Sequence, residues 1–64
     1  MIIKQLRISK GLSQNKLAAI AGVSQPCIHY MENGKKEPTI RTLRKIAKAL
    51  DVSLSILLDG KESA

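Results

Sequence analysis

Turn-forming residues interrupt this sequence at short, nearly regular intervals, and they restrict it to short secondary-structure elements. The interruptions fall at Gly11, Gly22, Gly34, Pro38 and the stretch 51–53. In the five segments that they separate, apolar residues recur three or four positions apart and do not alternate with polar ones. The sequence therefore predicts an all-α fold of five short helices.

The length allows one small domain. A chain of 64 residues buries only about 60% of the surface that it exposes when unfolded, which leaves no room for a separate catalytic domain. Hydrophobic residues make up 44% and charged residues 25%, as is typical of globular domains and not of disordered chains. We expect one domain over residues 1–64, ordered over about 1–59, with a frayed tail at 60–64.

Residues able to bind metals or carry out catalysis are scarce. Cys27 is the single cysteine, so it cannot form a disulfide within the chain, and with His29 it cannot supply the four ligands of a structural zinc site. The sequence contains no catalytic triad and no glycine-rich phosphate loop. We therefore predict that the protein is not an enzyme and has no cofactor and no metal.

The charge balance points to a polyanionic partner. The net charge is +6, which favours nucleic acid or an anionic membrane surface. No apolar run approaches the roughly 20 residues of a membrane span, and the first ten residues lack the apolar core of a signal peptide. No predicted helix combines a basic face with a broad apolar face left unburied, so we expect a cytoplasmic protein with no membrane partner.

Capping residues define where the predicted helices begin. Ser13, Ser24, Thr39 and Ser53 each precede a helical segment and are good N-caps. The predicted helices span 2–10, 14–21, 25–33, 40–50 and 54–58. Because a short glycine-containing joint connects the second helix to the third, these two form a predicted helix-turn-helix.

One arc of the third predicted helix carries no formal charge and is rich in groups that donate or accept hydrogen bonds. It consists of Gln25, Pro26, His29, Tyr30 and Asn33. Gln25 is the best placed of these to read a base edge, because its amide can pair with adenine and the N-terminus of such a helix usually enters the major groove. Lys35 and Lys36 follow the helix and are suited to binding phosphates. The alternative is a solvated helix face without a ligand.

Glu32 falls on the opposite, inward arc of the third helix, where a carboxylate is costly unless it is paired. Arg7 is the basic residue of the first helix that lies closest to its apolar side. We predict a structural ion pair between Arg7 and Glu32 that ties the first helix to the third.

Three sequence patterns follow one another between Leu12 and Leu58. They are LSQxxLAxxAGVS, IxxxENG and LxxIAKALxVS. In this combination the sequence resembles the phage repressor and Cro type of helix-turn-helix transcriptional regulator, also called the XRE family. The resemblance implies a compact, lambda-repressor-like five-helix fold in which the second helix lies across the DNA backbone and the third enters the major groove.

The resemblance also implies roles for individual residues. Those implied to face the bases are Ser24, Gln25, Pro26 and His29. Those implied to contact DNA phosphates are Gln14, Asn33, Lys35 and Lys36. The same family pattern includes the ion pair between Arg7 and Glu32.

Three further residues are candidate phosphate contacts. Lys16 replaces the acid that the family has at this position, and its positive charge would favour DNA. Arg41 lies next to the basic loop, and Tyr30 lies at the outer edge of the third helix. Both are near enough to the predicted DNA surface to extend it.

The resemblance implies a homodimer formed through the last helix. Ile56 is an apolar residue on the predicted outer side of that helix, so we expect a dimer interface containing Ile56 and Leu54. The predicted function is repression of transcription from a palindromic operator in double-stranded DNA, in the cytoplasm and on the nucleoid. The alternatives are an antitoxin that also binds a toxin, a restriction-modification controller, and a protein-interaction module that has lost DNA binding.

Overall fold

The computed structural model describes residues 2–35 and 37–62, with side chains described as far as Leu58. This part of the chain contains five helices and no strand, which confirms the all-α prediction. The helices are α1 (Ile3–Ser9), α2 (Gln14–Ala21), α3 (Gln25–Glu32), α4 (Ile40–Leu50) and α5 (Leu54–Glu62).

The predicted bounds of α2 and α4 agree with the structure, whereas the other three helices differ. α1 is one residue shorter than predicted at each end, and α3 ends one residue earlier, at Glu32. α5 extends beyond its predicted end at Leu58 to Glu62. The prediction followed the apolar residues, but helix propagation depends on backbone hydrogen bonds, and no proline stands in 59–62 to stop it. Residues 63–64 of the predicted frayed tail lie outside the described residues.

Side-chain caps and left-handed residues set the helix ends. Ser13, Ser24 and Thr39 each accept a hydrogen bond from the backbone N–H three residues later, over 3.0, 3.2 and 3.1 Å. α2 stops at Gly22, whose φ of 73° lies in the left-handed region that glycine adopts without strain. α4 stops in the same way at Asp51, with φ 57°.

α2 lies at the centre of the fold. It packs closely against α3 and also against α4, while α5 packs against α4. Small side chains on α2, Ala18 and Ala21, are buried at these contacts and allow the helix axes to approach. The buried core draws on all five helices and consists of Ile3, Leu17, Ala18, Ala21, Ile28, Met31, Leu43, Ile46, Ala47, Leu50 and Leu57.

None of the helices in residues 2–35 and 37–62 combines the length and the apolar character needed to cross a membrane.

Candidate nucleic-acid interface

Four side chains from three helices form a continuous polar chain beneath the predicted DNA surface. Arg7 Nε donates to Glu32 Oε2 over 2.7 Å, Arg7 Nη2 donates to Glu32 Oε1 over 3.1 Å, and Arg7 Nη1 donates to the carbonyl of Leu12 over 2.7 Å. Gln14 Nε2 donates to Glu32 Oε1 over 3.0 Å. Gln25 Nε2 then donates to Gln14 Oε1 over 2.7 Å. The structure thus brings Arg7 and Glu32 together and connects them to the first residues of α2 and α3.

Glu32 is a nearly buried carboxylate that stays ionised because it is paired. Its side chain is 2% exposed and that of Arg7 is 11% exposed. Burial acts to raise the pKa of Glu32, but the hydrogen bonds from Arg7 and Gln14 and the nearby positive charges outweigh it, so the pKa lies below its ordinary value. The hydrogen bond to Glu32 raises the pKa of Arg7. The pair therefore holds α1 to α3 as two full charges.

The polar chain fixes the orientation of the Gln25 amide. Gln25 is half-buried, and its bond to Gln14 directs one N–H inward. Within the described residues, the carbonyl oxygen of this amide has no hydrogen-bond partner, and its second N–H is also unused. One acceptor and one donor on the same planar group are therefore available, which is the combination that adenine N6 and N7 require.

The remaining predicted base-facing residues lie at the surface of α3 or just before it. Ser24, Pro26 and His29 are exposed. The Ser24 hydroxyl caps α3 through the N–H of Cys27, so part of its hydrogen-bonding capacity serves the helix itself. Pro26 offers only apolar contact, and His29 is the remaining polar side chain one turn along the helix.

His29, Tyr30 and Asn33 form a local cluster at the end of α3. Asn33 Nδ2 donates to the His29 carbonyl over 2.8 Å and lies 3.3 Å from His29 Nδ1. The rings of His29 and Tyr30 meet edge to face with centroids 5.6 Å apart. Tyr30 is 47% exposed, so the cluster faces outward while Ile28 and Met31 are buried on the opposite side.

The basic residues predicted to contact phosphates lie at separate positions on the surface. Lys16, Lys35 and Arg41 are exposed on α2, after α3 and on α4. The Lys35 N–H donates to the carbonyl of Tyr30 over 2.9 Å, which fixes the chain as it leaves α3. Lys36, the other lysine of this loop, lies outside the described residues.

The two predicted dimer residues have different environments. Leu54 is half-buried and packs against the core, whereas Ile56 is 41% exposed. Leu57, next to Ile56, is buried at 2% exposure. Ile56 is thus the member of the predicted pair whose apolar side chain is exposed.

Sequence reasoning assigned Gln14 to a phosphate contact and missed its link between Glu32 and Gln25. A signal for it exists in the sequence. Both α2 and α3 begin with the dipeptide Ser-Gln, so each glutamine follows a capping serine and occupies the same position of its helix. The hydrogen bond from Gln25 to Gln14 joins these matched positions.

The described residues contain no group of three or more His, Cys, Asp or Glu side chains that could hold a metal ion. Cys27 is a free, half-buried thiol.

The chain is similar to known regulators over almost its full length. The helix-turn-helix family model HTH_3 matches residues 3–57. The HTH-type transcriptional regulator SinR of Bacillus subtilis (strain 168) is 43% identical over 60 residues, which cover 92% of this chain and 54% of SinR. The HTH-type transcriptional regulator SutR of Escherichia coli (strain K12) is 39% identical over 62 residues, which cover 97% of this chain and 35% of SutR.

A solved structure has the same fold. The crystal structure of an HTH_3 family transcriptional regulator from Vibrio cholerae matches with a TM-score of 0.84 and 41% identity, over 91% of this chain and 33% of that one. This chain therefore spans about half or less of the length of these three proteins. The similarity covers the helical domain and not the remainder of the relatives.

Proposed function

Because the chain belongs to the HTH_3 helix-turn-helix family of DNA-binding transcriptional regulators, we propose that it represses transcription by binding a palindromic operator as a homodimer. Its partner is double-stranded DNA, and its place of action is the cytoplasm, on the nucleoid. The observation that carries this proposal is the outer face of α3, which begins with an amide that Gln14 already holds in one orientation.

In the proposed complex α3 lies in the major groove and reads bases from its N-terminal end. Gln25 contacts an adenine through the carbonyl oxygen and the N–H that the bond to Gln14 leaves unused. Ser24, Pro26 and His29 contact neighbouring base edges, Pro26 through apolar contact alone. Because Gln25 is already oriented, little side-chain entropy is lost when it binds.

Phosphate contacts fix the position of the domain on the duplex. The proposed contacts are Gln14, Lys16, Tyr30, Asn33, Lys35, Lys36 and Arg41. Three of the four basic side chains in this set are exposed, and Lys36 is not described. They add affinity for any sequence, because neutralising phosphates releases counterions, and this part of the binding weakens as salt rises.

The proposal is tested by selecting bound sequences from random duplex DNA. The wild type is compared with Gln25→Ala and Lys35→Ala. We expect a palindromic motif that Gln25→Ala relaxes at one position of each half-site, with a loss of about 1–3 kcal/mol there. Lys35→Ala should weaken all sequences alike and reduce the slope of log affinity against log salt by about 1.

Failure to recover any motif at moderate salt would rule out sequence-specific regulation. The effect of Gln25→Ala and the salt dependence of binding distinguish this proposal from its alternatives. If binding to DNA is measurable but insensitive to Gln25→Ala, Gln25 does not read a base. If no duplex binds with a steep salt dependence, the protein acts through a protein partner.

A further inference from the structure

A surface groove between α2 and α4 is not used by the proposed DNA complex. It has a volume of about 460 Å³ and is lined by Ile20, Ala21, Lys45, Lys48 and Ala49. Gln14, which accepts the hydrogen bond from Gln25 of α3, is the first residue of α2. Ile20 and Ala21, which line the groove, are the last two residues of the same helix. At a rise of 1.5 Å per residue, the groove begins about 9 Å further along the helix.

The floor of the groove is apolar. Ile20 is 51% exposed, Ala21 is nearly buried and Ala49 is half-buried. An isoleucine exposed to this extent leaves apolar area in water that a partner could cover, and covering it is favourable by about 25 cal/mol per Å². Small side chains at 21 and 49 create the depression beside it.

The rim of the groove is basic and unpaired. Lys45 and Lys48 are exposed, and Arg41 and Arg44 continue the same stripe of α4 at spacings of three and four residues. Glu32 is paired with Arg7, and among the side chains described as far as Leu58 no acidic group forms an ion pair with Lys45 or Lys48. The groove therefore combines an apolar floor with a basic rim.

We propose that this groove docks an acidic amphipathic segment of another protein. An apolar side chain of that segment seats on Ile20 and over Ala21 and Ala49, and carboxylates on either side of it pair with Lys45 and Lys48. Charge complementarity favours an acidic occupant. The apolar floor favours a peptide over a nucleic acid, because a peptide can cover Ile20 with an apolar side chain whereas a phosphate backbone cannot. The proposal goes beyond DNA recognition and does not depend on it.

The test uses the full chain as bait for a library of random peptides displayed on phage. We expect enriched peptides to combine a large apolar residue with Asp or Glu within one helical turn. Ile20→Ser and Lys45→Glu should each weaken the affinity for a synthetic copy of such a peptide by about tenfold. The matched controls are Ile8→Ser and Lys10→Glu, which alter exposed residues of the same types elsewhere on the surface.

A second measurement locates the peptide and keeps it distinct from the DNA site. On titration into the isotopically labelled chain, amide shifts should change at the end of α2 and along α4 and stay unchanged along α3. Selected operator DNA should bind the Ile20→Ser variant as tightly as the wild type.

Results of three kinds would overturn the proposal. The first is enrichment of peptides without acidic residues. The second is peptide binding that the Ile20 and Lys45 substitutions leave unaffected, or shift changes that fall on α3. The third is dissociation of a self-associated wild type by Ile20→Ser in sedimentation experiments, which would make a second copy the occupant of the groove.

Discussion

Glu32 is the residue through which three of the five helices are joined. Its carboxylate accepts from Arg7 of α1 and from Gln14 of α2 while it is itself the last residue of α3. A nearly buried charge is costly unless every partner is present, because its lost hydration must be replaced by hydrogen bonds. Small domains have little stability to spare, so this single residue should have a large effect.

Replacing Glu32 with Gln should destabilise the domain. The amide keeps the size of the side chain but removes the negative charge that Arg7 faces, and a hydrogen bond to a charged group is worth about 2 kcal/mol. A loss of that size corresponds to roughly 8–16 °C in Tm for a domain of this length. Thermal unfolding followed by circular dichroism measures it. Gln5→Glu is the control, the reverse exchange between amide and carboxylate at an exposed position, where the change should stay within about 0.5 kcal/mol.

The ion pair between Arg7 and Glu32 predicts that the free energy of unfolding falls at acid pH, which gives its pH profile an acid limb. Because the pKa of Glu32 in the folded protein lies below its ordinary value of 4.5, folding favours the ionised form. Its contribution is fully present above pH 4.5 and is lost as the pH falls through the lower, folded pKa. Urea unfolding measured from neutral pH downward should show this loss in the wild type. Glu32→Gln should flatten that part of the profile, and an unchanged acid limb in the variant would assign it to other carboxylates.

At the scale of elements, the end of α4 is held in a conformation that its residue disfavours. Asp51 has φ 57° and ψ 45°, a left-handed conformation that is strained for residues with a side chain. Its carboxylate also stands at the negative end of the helix dipole. Glycine at this position removes both effects.

Asp51→Gly should therefore stabilise the domain, by about 1 kcal/mol. The measurement is the midpoint of urea unfolding at neutral pH. Ala19→Gly, at an exposed position within α2, is the opposite control and should lower stability by about 1 kcal/mol, because glycine weakens a helix interior. If both glycine variants shift stability in the same direction, backbone strain at 51 is not the cause.

Elements with clear caps and a full apolar stripe could be predicted from the sequence. α2 and α4 are capped by Ser13 and Thr39 and are followed by left-handed residues, and their bounds were predicted correctly. The extent of α5 was missed because residues 59–62 include no apolar residue from which a helical pattern could be read. The hydrogen bonds by which Gln14 links Glu32 to Gln25 were missed because they depend on the angle at which α2 and α3 cross. The spacing of residues along the chain does not specify that angle.

At the scale of the whole molecule, the dimensions of the domain indicate that one copy of the protein can contact only one half-site of the operator. The domain measures 27 × 23 × 20 Å, whereas the half-sites of a palindromic operator lie one helical turn, about 34 Å, apart. A single domain cannot place α3 in both major grooves. The proposed operator therefore requires two copies, and the two-fold axis must pass through a surface that α3 does not occupy.

Ile56 gives the most direct test of that dimer. If α5 forms the interface, Ile56→Asp places a charge in an apolar contact and should weaken dimerisation by at least about 2 kcal/mol, or about thirtyfold. Sedimentation equilibrium should then show monomer where the wild type is dimeric. Affinity for a palindromic operator should fall, while affinity for an isolated half-site stays unchanged because α3 is intact.

Ile8→Asp is the control on another exposed isoleucine, 57% exposed on α1, and should leave the dimer unaffected. Loss of half-site binding by Ile56→Asp would instead show that the substitution damages the fold, and a dimer that survives it would place the interface elsewhere.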